Sequence, residues 1–372
     1  MPKKGENIYK RKDKRWEARY IKSYNPDGKA NYGYCYAKTY LEAKQKSAEA
    51  KAKLLNGGIP QNEQNRRFFY YCDEWLTLKR TCIKESSYAK YHTTVENHIK
   101  PGLGGYFVQS LNSVIIEQFG YEMLYNKGLS AKSVKDILVT LNSILLYTAK
   151  RVPKGLQNVE VVYPKENKKN MRILTKEEQE NFIRYLIKDL DNYKFGVLLA
   201  LLTGMRIGEV CALKWENISI KEGTVKVSST MQRVHDFNNT SGTKTKVMIT
   251  EPKSEKSVRI IPLTHYALEL CKIKKIDNNN AFVLTGKENK YVEPRTMQYH
   301  IAKYTNDCGL EGVHFHTMRH TFATRCVEVD FEIKSLSEIL GHASPRITLE
   351  RYVHSSLELK KDNIKKLSAI GF

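Results

Sequence analysis

Two short stretches, TGMRIGE (Thr203 to Glu209) and HTMRH (His316 to His320), each carry an arginine. A third, LGHASPRITLERYVH (Leu340 to His354), joins two histidines to one tyrosine, Tyr352. Planar guanidiniums stay charged and clamp phosphate oxygens bidentately, so arginines in such company suit an anionic phosphate. A phenol with a pKa near about 10 is poorly ionised at neutral pH, and it attacks only with help from a base and a cationic pocket. Tyr352 alone says little, because the chain has 23 tyrosines and most such residues pack half-buried with a wet hydroxyl. A fourth stretch, EPKSEKSVRIIPL (Glu251 to Leu263), sets Lys253 and Lys256 in a turn between two strand-like runs.

Other chemistries fit less well. His316 and His320 stand one helical turn apart with His314 near, a spacing compatible with zinc. No third-ligand carboxylate or cysteine sits at a helpful spacing, and the arginine between the histidines would repel a cation. His320 reads as a buried helix histidine, and His354 as a surface residue or a weak phosphate contact. Seven scattered cysteines include no C-x-x-C pair, so no zinc, redox or disulfide framework is expected, and the cytosol is the expected compartment. No G-x-x-x-x-G-K-[ST] run supports a P-loop ATPase, and no long apolar stretch supports secretion or a membrane span. The charge is the broadest signal: 62 Lys and Arg against 40 Asp and Glu leave +22, spread over all regions, which points to a polyanionic partner such as nucleic acid.

The elements that must position these residues fall into three segments, giving a multidomain α+β chain. Residues 1–58 read as three short strands, Ile8 to Lys10, Trp16 to Tyr20 and Tyr32 to Tyr36, with a turn at Asn25 to Gly28. The capping box Thr39-x-x-Glu42 then opens a helix that stops at Asn56-Gly57-Gly58. Basic and aromatic residues interleave in YKRKDKRWEARY, so Lys10, Arg11, Lys12, Arg15, Trp16 and Arg19 are the candidate DNA contacts there. After a polar linker, residues 67–152 show helical periodicity for four amphipathic helices, with Ser130 as an N-cap. A second linker, Pro153 to Asn170, precedes residues 171–372. There the capping box Thr175-x-x-Glu178, a long apolar helix from Phe195 to Leu202, the strands VKVSS and VRIIPL, and further helices lead to the end.

Taken together, the four stretches resemble the tyrosine recombinase, or phage integrase, family, in order, in local context and in the tyrosine that follows a histidine. The resemblance spans a catalytic segment of about 200 residues. It implies that Arg206 and Arg319 grip a scissile DNA phosphate and that Tyr352 is the nucleophile, forming a 3′-phosphotyrosyl link and releasing a 5′ hydroxyl. It places His316 at the family's base position, makes His342 a phosphate hydrogen-bond donor, and makes Lys253, with Lys256 as the alternative, the acid that protonates the leaving 5′ oxygen. Glu209 reads as the ion-pair partner that orients Arg206. Met205 departs from the leucine common before that arginine, a change of little consequence.

Chain-wide, the order of segments looks like the integrases of temperate phages and conjugative transposons. That implies an arm-site DNA-binding domain over 1–58, a helical, SAM-like core-binding domain over 67–152, and a mixed, mainly α catalytic domain over 171–372 ending in a tail helix. No cofactor or metal is expected. The implied partners are double-stranded DNA at core and arm sites, three further copies in a homotetramer on DNA, and accessory DNA-bending or excision-directing proteins. The implied place is on DNA in the cytoplasm of a bacterial host, with no membrane. Residues 355–372 have helical apolar spacing that would pack either on their own domain or on a neighbouring protomer. Two other functions share the composition: a catalytically inactive DNA-binding regulator, and a metal-dependent nuclease or transposase built on clustered carboxylates.

Overall fold

The computed structural model describes residues 7–24, 30–55, 66–152, 156, 159–166, 171–237, 244–250 and 258–352, and the chain divides into two compact units, residues 1–168 and 169–372. The division falls inside the expected second linker. The turn expected at residues 25–28, both lysines of the Lys253 stretch, His354 and the tail lie outside the described residues.

In the first unit, β1 (Ile8–Lys10), β2 (Trp16–Tyr24) and β3 (Ala30–Ala37) form an antiparallel sheet in that order. Strand alternation sorts its side chains. Ile8, Ala18 and Ala37 turn to one face and meet Ala43 of helix α1 (Tyr40–Leu55) in a small core. Glu17 and Arg19 turn to the other face, opposite Tyr36 and Tyr34. Thr39 caps α1 by accepting the Glu42 amide at 3.3 Å.

The four expected helices follow as α2 (Phe68–Cys82), α3 (Glu85–Thr94), α4 (Ser113–Tyr121) and α5 (Ala131–Arg151). Two of them depart from plain α geometry. The helix begun by α3 continues through a π turn at Val95–Ile99 and a last turn at Lys100–Leu103, and α4 runs into a π turn at Glu122–Asn126. Ser130 caps α5 by accepting from the Ser133 amide at 3.2 Å, and the stripe Val134, Ile137, Leu138, Leu141, Ile144 and Leu145 is its buried face.

The second unit is built around one apolar helix. α6 (Lys176–Ile187) begins with a two-way capping box: Thr175 Oγ1 accepts the Glu178 amide at 3.1 Å, and Glu178 accepts the Thr175 amide at 2.8 Å. α7 (Asn192–Thr203) buries every residue from Phe195 to Leu201 and is surrounded, so its sequence is apolar all round rather than striped. α8 (Ile207–Ala212) follows at once. β4 (Ile218–Ser219), β5 (Thr224–Val227) and β8 (Arg259–Pro262) make an antiparallel sheet in that order. The pairing of β5 with β8 joins the two strands expected from VKVSS and VRIIPL.

Between them stands a hairpin that the sequence pattern did not signal, β6 (Thr230–His235) with β7 (Thr245–Thr250). The buried residues of β6, Met231 and Val234, stand three positions apart, and β7 is partly exposed along its length, so neither strand shows the alternation that marks a strand. Helices α9 (His265–Lys274), α10 (Pro294–Asp307), α11 (Phe315–Glu328), α12 (Ile333–Leu340) and α13 (Pro345–Tyr352) complete the unit. No helix of the described residues is long and apolar enough to cross a membrane.

Thr175→Ala removes the hydroxyl half of the α6 capping box, and the expected loss is about 1 kcal/mol in urea unfolding. An unchanged midpoint would show that the helix start is fixed by Arg172, which pairs with Glu178 at 2.5 Å.

Candidate active site

The site assembles at the C-terminal end of α12. The last carbonyls of a helix have no partner within it, and they carry the negative end of the helix dipole. Three successive carbonyls here are each taken by a different arginine. Arg259 Nε donates to the Ile339 carbonyl at 2.5 Å, Arg319 donates to Leu340 at 2.6 Å, and Arg206 donates to Gly341 at 3.3 Å.

Two glycines make this meeting possible. Gly204 (φ 68°) and Gly341 (φ 64°) are left-handed caps of α7 and α12, a conformation costly for residues with a Cβ. Gly204 reverses the chain so that Arg206 stands at the N-cap of α8, and its own carbonyl accepts a second bond from Arg319 at 2.8 Å. Gly341 ends α12 so that His342 follows directly, its amide bonded to the Ser337 carbonyl at 3.0 Å.

Glu209 ties two of the arginines together. It is 4% exposed, and its carboxylate accepts both guanidinium nitrogens of Arg259 (3.1 and 2.8 Å), one of Arg206 (2.8 Å), and the Arg206 amide (2.8 Å). Burial alone would push this carboxyl up, but the hydrogen bonds and charge of Arg259, with Arg206 behind, hold it down at about 2. Arg319 is 1% exposed, and burial followed by the charge of Arg206 lowers it to about 9, which still leaves it charged at neutral pH.

The imidazoles and the phenol sit against this cationic cluster. On α11, positions 316, 319 and 320 share one face. The His316 and His320 rings meet edge to face at 4.5 Å, and the Tyr352 hydroxyl lies 2.9 Å from His320 Nδ1. His342 Nδ1 lies 2.8 Å from the buried Thr348 hydroxyl, and its ring is parallel to that of Tyr352 at 6.3 Å. Burial first, then neighbouring positive charge, lowers His316 and His320 to about 4 and His342 to about 3, so all three are neutral at pH 7. Tyr352 is 5% exposed, seated among Ala323, Leu336 and Leu340. Burial raises its pKa against the opposing pull of Arg319 and Arg351.

Of the residues expected from the sequence, Arg206, Glu209, His316, Arg319, His342 and Tyr352 therefore come together, while Lys253 lies outside the described residues. Arg259 was not anticipated. Its signal lies in VRIIPL: Ile260 is 62% exposed, whereas Arg259 (7%) and Ile261 (1%) alternate inward, and a charged residue in phase with the buried face of a strand needs a buried partner.

The other expected contacts lie in the first unit. Arg11 and Arg15 lie over the Tyr36 ring at 5.3 and 5.9 Å, and Arg19 stacks on Tyr32 at 3.5 Å, with Tyr34 and Tyr36 exposed beside them. Lys10 and Lys12 are exposed. Trp16 lies apart from this group: it packs edge-on against Tyr40 at 5.3 Å, on the small core under the sheet.

Glu209 makes a pH signature. Its folded pKa lies below its ordinary value of 4.5, so its contribution to stability is complete above about pH 4.5 and disappears as pH falls through about 2. Glu209→Gln is expected to destabilise the protein at pH 7 by about 3–5 kcal/mol, the cost of breaking a buried pair. The gap from the parent should close on acidification. Chemical denaturation across that pH range measures both, and a gap independent of pH would contradict the ion-pair account.

Comparison with known proteins gives the chain a family. The Phage integrase family profile matches residues 172–358, half of the chain, and the profile of the phage integrase N-terminal SAM-like domain matches residues 67–124. A tyrosine recombinase XerC-like protein of Caldanaerobacter subterraneus subsp. tengcongensis is 25% identical over 92% of this chain and 94% of its own. Among solved structures, the fold is shared with the Tn1549 transposon integrase in complex with a circular intermediate DNA (TM-score 0.67, 19% identity, 81% of this chain and 99% of that one). It is also shared with a lambda integrase tetramer bound to a Holliday junction (TM-score 0.58, 16% identity, 95% and 97%). The arginine cluster and Tyr352 lie inside the span that the family profile covers, and the chain is a member of the phage integrase family, a tyrosine recombinase that breaks and rejoins DNA strands.

Proposed function

We propose that this chain carries out site-specific recombination of a mobile element with Tyr352 as its nucleophile. The observation that carries this reading is the convergence of Arg206, Arg319 and His342 on the C-terminal end of α12, with the Tyr352 hydroxyl on the same side. A phosphodiester entering there meets guanidiniums whose charge Glu209 only partly offsets. The Tyr352 oxygen attacks phosphorus, the bond to the 5′ oxygen breaks, and a 3′-phosphotyrosyl link forms. Arg206 and Arg319 stabilise the negative charge that grows on the nonbridging oxygens, and His342 donates to one of them. His316 stands at the family's base position, Lys253 supplies the proton for the leaving 5′ oxygen, and Glu209 orients Arg206. Reversal with a new 5′ hydroxyl rejoins the strand, and because the link retains the bond energy no nucleotide triphosphate is consumed.

The remaining assignments follow the order of domains. Residues 1–58 read arm sites through the basic, tyrosine-rich face that holds Arg11, Arg15 and Arg19. Residues 67–152 bind the core site, and residues 171–372 carry the chemistry. Strand exchange between two duplexes needs four such active sites, so the working form is a homotetramer on DNA, aided by accessory DNA-bending or excision-directing proteins. The lambda integrase tetramer on a Holliday junction supports that stoichiometry by analogy of fold.

Tyr352→Phe deletes only the nucleophilic oxygen, so DNA binding is expected to persist while the covalent adduct on a nicked substrate disappears. Arg206→Lys and Arg319→Lys keep the charge but lose the fork, and each is expected to lower the cleavage rate by about 10²-fold or more. An adduct formed by the phenylalanine variant, or cleavage at the parent rate in both lysine variants, would overturn the assignment. Deleting residues 1–58 is expected to leave core-site cleavage measurable while integration that depends on arm sites fails. Loss of all core-site binding in that deletion would contradict the arm-reading role.

A further inference from the structure

We propose that His320 is the immediate proton acceptor of the Tyr352 hydroxyl. This rests on the reading of Tyr352 as nucleophile, and it moves the proton-accepting role from His316, the family's base position, to the histidine one turn further along α11. The geometry is direct: the hydroxyl oxygen lies 2.9 Å from His320 Nδ1, and both side chains are buried, at 5% and 7% exposure. His316 meets the pair through its ring contact with His320.

The resting protonation states leave the proton on the donor and the acceptor nitrogen unprotonated. Burial, with Arg351 and Arg319 adding to it, holds the His320 imidazole at about 4, so at neutral pH it is uncharged. Burial raises the Tyr352 phenol, so the phenol keeps its proton in the resting protein. The phenol therefore donates and Nδ1 accepts, which assigns His320 the tautomer protonated at Nε2. The positive charge of Arg319 favours the phenolate as it forms.

The step balances in atoms and charge. The O–H bond of Tyr352 breaks and its proton goes to His320 Nδ1, the Oη–P bond forms, and the P–O5′ electron pair leaves on the 5′ oxygen, which takes a proton from Lys253 in the reading above. An imidazolium beside Arg319 and Arg351 is costly alone, but it arises while negative charge is growing on the phosphoryl oxygens held by the same arginines. On rejoining, the proton returns to the tyrosine oxygen.

Two substitutions separate basicity from contact. His320→Asn keeps a hydrogen-bond acceptor close to the Nδ1 position without its basicity, and His320→Leu keeps only the bulk. The probe is a nicked duplex carrying the junction made by joining the two ends of the element that encodes the chain, and the readouts are the rate of covalent adduct formation, DNA affinity and melting temperature. Both variants are expected to slow adduct formation by about 10²-fold or more with affinity and melting unchanged. A substrate with sulfur in place of the leaving 5′ oxygen, which departs without protonation, should not restore them, whereas it should restore Lys253→Ala.

Parent-like rates in His320→Asn would reduce the contact to orientation and overturn the proposal, and parent-like rates in both variants would reduce it to packing. Rescue by the sulfur substrate would place His320 on the leaving-group side and overturn it as well. If the Asn variant melts early, His320→Gln is measured in its place against the same outcomes. The parent and Tyr352→Phe run alongside keep the two readings apart: an adduct that persists in Tyr352→Phe removes the nucleophile assignment, while an adduct lost there but undiminished in His320→Asn removes only the role of His320.

Discussion

Helix α12 ends with its carbonyls turned inward, and the core of the candidate site is organised around satisfying them. A buried carbonyl without a donor costs as much as a lost hydrogen bond, and the dipole of the helix makes a cation the preferred donor. Guanidiniums from a helix N-cap (Arg206), a strand (Arg259) and a helix interior (Arg319) meet that need on three consecutive residues. The same contacts fix where the remaining N–H groups of those arginines lie. Three like charges in one small volume repel one another, and Glu209 relieves two of them. What is left is a preorganised excess of positive charge, which suits a transition state that gathers negative charge on phosphate oxygens.

That excess governs the neighbouring titratable groups. It works with burial to keep His316, His320 and His342 neutral, and it works against burial at Tyr352. At neutral pH the phenol therefore keeps its proton and the three imidazoles are uncharged. Tyr352 is also part of the packing: with Ala323, Leu336 and Leu340 it anchors α13 against α11 and α12. Its position is therefore tied to the same helix end that gathers the arginines.

The sheet module in the first unit shows how little surface a small β-sheet needs to sort its functions. Alternation sends Ile8, Ala18 and Ala37 to a core thin enough for Ala43 to fit against them, and it sends Arg19, Tyr34 and Tyr36 to the open side. Trp16, which by composition belongs with the basic and aromatic run, falls in phase with Ala18 and is spent on packing against Tyr40. Residue type alone had grouped it with the arginines; strand phase separates it from them.

The sequence by itself determined whatever depends on neighbours along the chain. Caps at Ser130 and Thr175, the apolar run of α7, the β5 and β8 strands, and the order of the arginine, histidine and tyrosine stretches are local patterns, and local geometry reproduces them. The hairpin of β6 and β7 escaped because the buried residues of β6, Met231 and Val234, stand three apart and β7 is partly exposed throughout, which leaves no clear alternation. Only the tertiary structure could decide which carbonyl each arginine meets, that Arg259 stands with them, and that the Tyr352 hydroxyl turns to His320. The arginine contacts join residues separated in the chain by 135 positions for Arg206 and Gly341, 115 for Arg319 and Gly204, and 80 for Arg259 and Ile339. No period in the sequence carries information across such distances, because those partners are chosen by the packing of helices and strands and by the cost of leaving a buried polar group alone.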